Sequence, residues 1–435
     1  MKVVSLALIG AGQRGMDSYG VQALRHPEAM RFVAVAETHP ERRQRFRLEH
    51  DVPNERCFSR WEDLLARPKL ADGVVVCTQD RMHFAPTMAA LAAGYHVMLE
   101  KPMSPDPREC IEMAEAADSV RRILLVCHVL RYTSFFKTIK RFLDEGRIGR
   151  LISIQHNENV AFWHYAHSYV RGNWRRSDES SPMILAKSSH DMDILLWLAG
   201  ANCVAVSSFG SLAHFTRANA PAGAPDRCLD GCPVAESCPY HAPTFYLTGS
   251  DGWPASVISN ETNEAALLEA LRTGPYGRCV YRCDNDVVDH QVVGMEFANK
   301  VTATFTMSAF TADVGRTIKL MGTEGEIRGT LTEQRNELEI RHFPTRAREL
   351  LALPPEEGPE GHGGGDAGVM RAFVDLVRAN DWRNVPTSAA VSVQSHMMAA
   401  AAETSRLESR TIAMADFYTR MRSAVTSGSS AAHRL

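Results

Sequence analysis

Val3-Val4-Ser5-Leu6-Ala7-Leu8-Ile9-Gly10-Ala11-Gly12-Gln13-Arg14-Gly15 is an apolar run that ends in glycines and passes directly into a helix-compatible segment. It reads as a strand, a tight turn and a helix N-terminus. Gly10 permits the turn, Gly12 lets a pyrophosphate approach the backbone, and Gly15 lets helix and strand pack closely. Residues 31–37 form a second strand ending in Glu37. That carboxylate falls about 20 residues past the last glycine, where an acid meets the adenosine ribose. Strand, glycines, helix, strand and acid in that order mark a dinucleotide site, with Gly10, Gly12, Gln13, Arg14, Gly15 and Glu37 against the cofactor. Glu37 favours NAD because a carboxylate repels a 2′-phosphate, while Arg42 and Arg43 keep NADP open.

Working outward, the pattern alternates. Helical segments at 61–66, 82–93 and 106–119 separate apolar strands at 73–78, 95–99 and 123–127. Alternation of this kind implies a doubly wound parallel sheet of the Rossmann type over residues 1–127. The next part, 128–412, reads differently. Strands at 151–160, 203–210, 287–297, 300–308, 316–321 and 325–330 with a helix at 186–198 predict an α+β domain with a mostly antiparallel open sheet. Within it, residues 218–283 are rich in proline, glycine and cysteine and read as an insertion. Gly358 to Gly368 reads as a loop, helices at 369–379 and 391–406 return to the first domain, and 413–435 is a C-terminal segment with a fraying tail.

The chain has 435 residues, 45% hydrophobic and 23% charged, with a net charge of -3. That balance argues against nucleic acid as a partner, although 341–348 is locally basic, and it suits a small polar metabolite. No apolar segment approaches the roughly 20 residues needed to span a bilayer, and the first apolar run is a strand rather than a secretion signal, so a cytoplasmic location is expected. Ten cysteines are too sparse for a disulfide framework.

Glu100-Lys101-Pro102 follows the strand 95–99 and therefore lies at the sheet's carboxyl edge, where α/β sheets bind ligands. A lysine there reaches both a nicotinamide and a substrate hydroxyl, and a proline, expected to be cis, fixes the turn. The glycine turn, Val76-Cys77-Thr78 with His83, Glu100-Lys101-Pro102, and His190-Asp191-Met192-Asp193 together resemble the Gfo/Idh/MocA family, that of glucose–fructose oxidoreductase and inositol dehydrogenase. Met321-Gly322-Thr323-Glu324-Gly325-Glu326 fits the family's C-terminal sheet. The resemblance implies hydride transfer between nicotinamide and a secondary alcohol of a sugar, sugar acid or cyclitol, with Lys101 polarising the oxygen and His190 as acid/base. It also implies a homo-oligomer built through the C-terminal sheet, and it carries Thr78, His83, Glu100 and Lys101 over as cofactor neighbours.

An imidazole that titrates near neutrality suits proton transfer in both directions. Asp193, on the same helix face as His190, is expected to orient it. Many family members place an aspartate four residues before that histidine; here the position is Ala186, and Lys187 is the nearest ionisable group. Either Lys187 replaces the relay or the chemistry has changed, for example to NAD-dependent glycoside cleavage by transient oxidation. A third reading, a non-catalytic dinucleotide sensor, has no use for Lys101 and His190 together.

Residues 163–175 are dense in aromatic, His, Asn and Arg side chains, a mixture that suits a carbohydrate pocket, with His167, Tyr169, Arg171, Asn173 and Trp174 as contacts. His362, on the glycine-rich loop, is a candidate lid residue. Cys228, Cys232 and Cys238 lie close together in the insertion. A structural zinc would need a fourth ligand, with Cys279 the first choice and Cys283, Cys203 or His241 the others. An iron–sulfur centre and plain reduced thiols stay open.

Overall fold

The computed structural model describes residues 2–248, 252–259, 261, 263–353 and 363–432. The first sheet comprises β1 (Val4–Ile9), β2 (Met30–Ala36), β3 (Cys57–Phe58), β4 (Gly73–Val76), β5 (His96–Leu99) and β6 (Leu124–Val126) in the order β3-β2-β1-β4-β5-β6. All its pairings are parallel. β4, Gly-Val-Val-Val, and β5 are buried along their whole length, as helices on both faces of a parallel sheet require. Because the strands run the same way, Gly10, Cys77-Thr78, Glu100-Lys101 and Cys127-His128 all emerge at one edge. The order reverses between β1 and β4, which opens a crevice at that edge.

A second sheet has nine strands: β7 (Leu151–Asn159), β8 (Cys203–Ser211), β9 (His290–Phe297), β10 (Thr302–Ser308), β11 (Gly315–Gly322), β12 (Gly325–Thr332), β13 (Asn336–His342), β14 (Arg348–Ala352) and β15 (Ile412–Ala413). Their order is β14-β13-β12-β11-β7-β10-β9-β8-β15. Only β7 and β10 pair in parallel; the rest are antiparallel. This is the expected α/β plus open-sheet architecture.

Several elements differ from the sequence reading. The basic stretch 341–348 is the end of β13, a turn and the start of β14, and Arg341 and Arg348 share Glu339 as their partner. A helix at Ser134–Asp144 buries Phe135, Phe136, Ile139 and Phe142 and is capped by Thr133, whose hydroxyl accepts from the Phe136 N–H. The single helix expected over 186–198 is two, Met183–Ala186 and Ser189–Ala199, because Lys187-Ser188 interrupts the ladder where serine favours a cap over a helix interior. The last helix runs Met414–Ala432, through residues whose composition reads as a tail.

Two helices join the sheets. Gly365–Ala379 buries Val369, Met370, Phe373 and Val374 against Val4, Leu6 and Leu8 of β1 and Met98 of β5. At about 1.5–3 kcal/mol per buried large apolar side chain, that stripe fixes the helix to the first sheet. Ala389–Glu408 lies between the helix Pro107–Ser119 of the first sheet's layer and β8 of the second. Polar bonds cross the same seam: the Met103 N–H contacts His396 Nε2 at 2.8 Å, and Arg131 grips Asp193 through two bonds of 2.6 and 2.7 Å.

Candidate active site

The glycine turn has the division of labour its spacing requires. At Gly10, φ is +93°, and a Cβ would sit 2.6 Å from the Cys77 carbonyl oxygen; at Gly15 it would sit 2.1 Å from the Gly10 oxygen. At Gly12 a Cβ would meet nothing within 4 Å. Two glycines are therefore demanded by the protein's own packing, and the middle one leaves open space where a pyrophosphate would rest. Glu37 is buried at this turn, accepting from the Ala11 N–H at 2.7 Å and the His39 N–H at 2.8 Å. Gln13 is exposed beside Gly12.

Arg14 turns inward. Its guanidinium donates to Glu100 at 2.7 Å and to both Asp366 oxygens at 2.6 and 3.0 Å, and Tyr19 donates to Glu100 at 2.6 Å. Burial alone would raise the Glu100 pKa, but Arg14 and Lys101 hold it below the usual carboxylate range. Glu100 also accepts from the Lys101 N–H at 2.8 Å, so the charged cluster fixes the lysine's backbone. The Lys101-Pro102 peptide is cis. His83, buried behind it, touches the Pro102 carbonyl at 2.7 Å and the Thr78 carbonyl at 3.0 Å. Thr78 donates to the Met82 carbonyl at 3.0 Å. His83 and Thr78 thus brace the two strand-end turns against each other.

From that braced turn the Lys101 ammonium donates to the Ala186 carbonyl at 2.7 Å. Ala186 ends the short helix Met183–Ala186, where carbonyls lack intrahelical partners and favour a cation. The helix break at Lys187-Ser188 is what leaves this oxygen available. Burial pulls the Lys101 pKa down; nearby Glu100 and Asp80 oppose this, and Lys187 adds to it. His190, 3% exposed in the first turn of Ser189–Ala199, lies edge-on to His128 with centroids 6.2 Å apart. His128 follows β6 and is held far below its ordinary pKa by burial, then by Arg131 and Lys101. Lys101 thus reaches from the edge of the first sheet to the helix break before His190, whose ring lies beside His128 of that same edge.

Two expected partners are engaged elsewhere. Asp193, expected to orient His190, gives both its oxygens to Arg131, buried at the domain seam. Lys187 pairs with the buried Glu158 of β7 at 3.3 Å, and Arg316 of β11 closes on the same carboxylate and on Asp191, to which His156 is also bonded at 2.8 Å. Burial raises the Glu158 pKa against the pull of Arg316 and Lys187.

The aromatic stretch 163–175 splits by helix face. Tyr169 stacks on Tyr165 at 5.5 Å and lies 6.1 Å from Trp174, whose indole N–H donates to Asp80 at 3.3 Å. Asp80, also bonded to Ser180 and Ser181, is among the charges that act on Lys101, so this face belongs to the seam. His167 and Arg171, four residues apart, point the other way, into the insertion. His167 contacts the Tyr246 hydroxyl at 2.8 Å and stacks on Tyr276. Arg171 donates to the carbonyls of Arg278 and Tyr240 at 2.8 and 2.7 Å. They anchor the insertion instead of lining the lysine pocket. Asn173 is exposed. His362 lies outside the described residues.

Cys228, Cys232, Cys238 and Cys279 line a common cavity, and all ten cysteines are free thiols. Among the described residues no three His, Cys, Asp or Glu side chains are gathered as a single metal ion would require, so the arrangement does not support a zinc site. Sequence reasoning missed Asp80, Glu158, Arg316, His128, Arg131 and Asp366. Asp80 and His128 carry a usable signal, since each follows a first-sheet strand by two residues or a little more.

A glycine turn with open space at Gly12, at the switch point of a parallel sheet with Lys101 at the same edge, has the geometry of an NAD(P)-dependent oxidoreductase. Residues 4–128 match the oxidoreductase-family NAD-binding Rossmann model, and residues 140–414 match the same family's C-terminal alpha/beta model. The chain belongs to the Gfo/Idh/MocA oxidoreductase family. It is 24% identical to a putative oxidoreductase, YteT, of Bacillus subtilis over 81% of this chain and 82% of that one. It is also 24% identical to an inositol 2-dehydrogenase of Corynebacterium glutamicum, over 49% of this chain and 60% of that protein. A solved levoglucosan dehydrogenase, in complex with NADH and levoglucosan, has the same fold with a TM-score of 0.70 at 18% identity, covering 95% of this chain and all of that one.

Proposed function

We propose that this protein oxidises or reduces a secondary alcohol of a sugar, sugar acid or cyclitol, using NAD in preference to NADP. The observation that carries this reading is the Lys101 ammonium held on the Ala186 carbonyl, on the segment that leads into His190. Bound NAD supplies the acceptor for a hydride leaving the substrate carbon. Lys101 exchanges the Ala186 oxygen for the substrate hydroxyl, and its charge stabilises the developing alkoxide. His190 takes the hydroxyl proton. Tyr169 and Trp174 offer ring faces to the C–H surface of the substrate, with Asp80 fixing the indole. The N–H groups around Gly12 hold the pyrophosphate, and Glu37 accepts from the ribose hydroxyls. Preference for NAD follows from Glu37 and from Arg43, which is spent on the carbonyls of Glu37 and Thr38. Exposed apolar side chains on the second sheet, Ile152, Val204, Phe209 and Val292, serve a homo-oligomeric contact.

A second reading is favoured by Ala186. With no carboxylate at that position, oxidation could be a transient step in glycoside cleavage: oxidation at C3, loss of the aglycone by elimination, addition of water, and re-reduction. The two are separated by incubating NAD-loaded protein with free sugars and aryl glycosides. Net NADH supports the first; phenol release without net NADH supports the second. Neither signal from any substrate overturns both.

A further inference from the structure

One buried face of the second sheet is charged beside the segment that carries His190. His156 and Glu158 lie two residues apart on β7, so both side chains fall on its buried face, and Arg316 of β11 stands directly across the ladder from Glu158. All three are buried, as is Asp191. Arg316 closes on one Glu158 oxygen and donates to Asp191 at 2.8 Å, and His156 is bonded to the same Asp191 oxygen at 2.8 Å. The other Glu158 oxygen lies 3.3 Å from the Lys187 ammonium.

Lys187 and Asp191, four residues apart, bracket His190. The ladder therefore grips the chain on either side of the imidazole. Its hold on Lys187 reaches the lysine pocket as well. The Lys187 amide nitrogen belongs to the same peptide unit as the Ala186 oxygen, which receives the Lys101 ammonium at 2.7 Å. The Lys187 N–H bonds back to the Met183 carbonyl at 3.0 Å, so this peptide closes a single helical turn, and the Lys187 side chain ties that turn to β7.

A buried ion pair is a poor source of stability, because desolvation offsets much of its attraction. Its placement here has an electrostatic consequence. Glu100 and Asp80 favour the Lys101 ammonium, Lys187 and Arg14 oppose it, and the rings of His128 and His396, kept neutral by burial, stand in the same seam. Glu158 in turn faces Arg316, Lys187, Asp191 and His156, with the Tyr169 ring close by. A carboxylate paired with Lys187 offsets the charge that Lys187 presents to Lys101.

We propose that Glu158 is a positioning residue for the lysine–histidine site: through Lys187 it fixes the peptide on which Lys101 docks, and it offsets a cation that opposes the Lys101 ammonium. The proposal rests on the reading of Lys101 as the group that meets the substrate oxygen. Its test needs no turnover. Acetylation of the half-buried Lys101 by acetic anhydride, followed across pH in the full chain by peptide mass spectrometry, gives the midpoint at which the ammonium loses its proton. Glu158→Gln, close to the same shape, should move that midpoint down by about one pH unit, and Lys187→Met should move it up. Adding Glu158→Gln to Lys187→Met should shift it by less than about half as much as Glu158→Gln does alone. Where Glu158→Gln does not fold, Lys187→Met, which leaves Glu158 with Arg316, carries the test. An unmoved midpoint in Lys187→Met, or a Glu158→Gln shift that persists in full without Lys187, would overturn the proposal. The expected shifts with no polyol-dependent nicotinamide reduction in the wild type would overturn the assigned reaction alone; unmoved midpoints with reduction intact would overturn the role of Glu158 alone.

Discussion

The Lys101 ammonium donates to the carbonyl oxygen of Ala186 across 2.7 Å, joining the carboxyl edge of the parallel sheet to the helix break that precedes His190. The amine is preorganised by the Glu100–Arg14–Tyr19 cluster beneath it, so little is reorganised when a substrate oxygen takes the carbonyl's place. Lys101→Ala should lower kcat/KM by about a thousandfold, the cost of losing one charged oxyanion donor, while NAD affinity stays nearly unchanged. Steady-state kinetics and calorimetric titration with NAD check the two halves separately.

The glycines separate stability from binding. Gly10→Ala forces a Cβ to 2.6 Å from a carbonyl oxygen at a φ of +93° and should cost about 3 kcal/mol or more. Gly12→Ala adds a Cβ that meets nothing within 4 Å, so the melting temperature should hold while NAD affinity falls at least about tenfold, or about 1.4 kcal/mol. Thermal melts beside NAD titrations read both outcomes; equal destabilisation by the two variants would contradict the assignment of Gly12 to the cofactor.

Asp366 ties the helix Gly365–Ala379 to the glycine turn through Arg14. Asp366→Ala leaves the guanidinium with Glu100 as its one carboxylate partner among the described residues, beside the hydroxyls of Ser18 and Tyr19. The expected loss is about 2–3 kcal/mol, at the low end for a broken buried pair because the Arg14 side chain keeps 29% of its exposure. Urea denaturation measures it.

Acid should weaken the fold through histidines that are buried neutral. Burial, reinforced by Arg171, lowers the His167 pKa to about 3, and burial, reinforced by His128, lowers that of His396 to about 3. In the unfolded chain both protonate near 6.5, so between about 6.5 and 3 the unfolded state binds more protons. Stability is therefore complete above about 6.5 and falls with pH through that window, by up to about 1.4 kcal/mol per unit for each histidine. His167→Phe, which retains ring contact with Tyr276, should flatten the slope in denaturation series run from neutral to acid pH. An unchanged slope would show that His167 is charged in the folded state.

Much of the cofactor site was legible because it is local. A strand that ends in Gly10, Gly12 and Gly15, and a strand that ends in Glu100-Lys101-Pro102, carry their geometry in consecutive residues. What escaped depends on residues far apart in the chain. Arg131 takes both oxygens of Asp193, Glu158 holds Lys187, and Asp366 claims Arg14; none of these pairings leaves a trace in spacing. The split of 163–175 was hidden for another reason: composition marks aromatic density but not the face, and His167 and Arg171 share a face opposite Tyr169. The basic stretch 341–348 likewise proved to be a hairpin turn with its flanking strand ends, where Arg341 and Arg348 share Glu339 of β13.

The most direct measurement is nicotinamide reduction in NAD-loaded protein challenged with a panel of sugars, sugar acids, cyclitols and their aryl glycosides, run in parallel on the Lys101→Ala and His190→Ala variants. Reduced nicotinamide should form with at least one polyol in the wild type and in neither variant. Undiminished reduction in either variant, or none in the wild type with any member of the panel even in a single turnover, would contradict the shared lysine–histidine site.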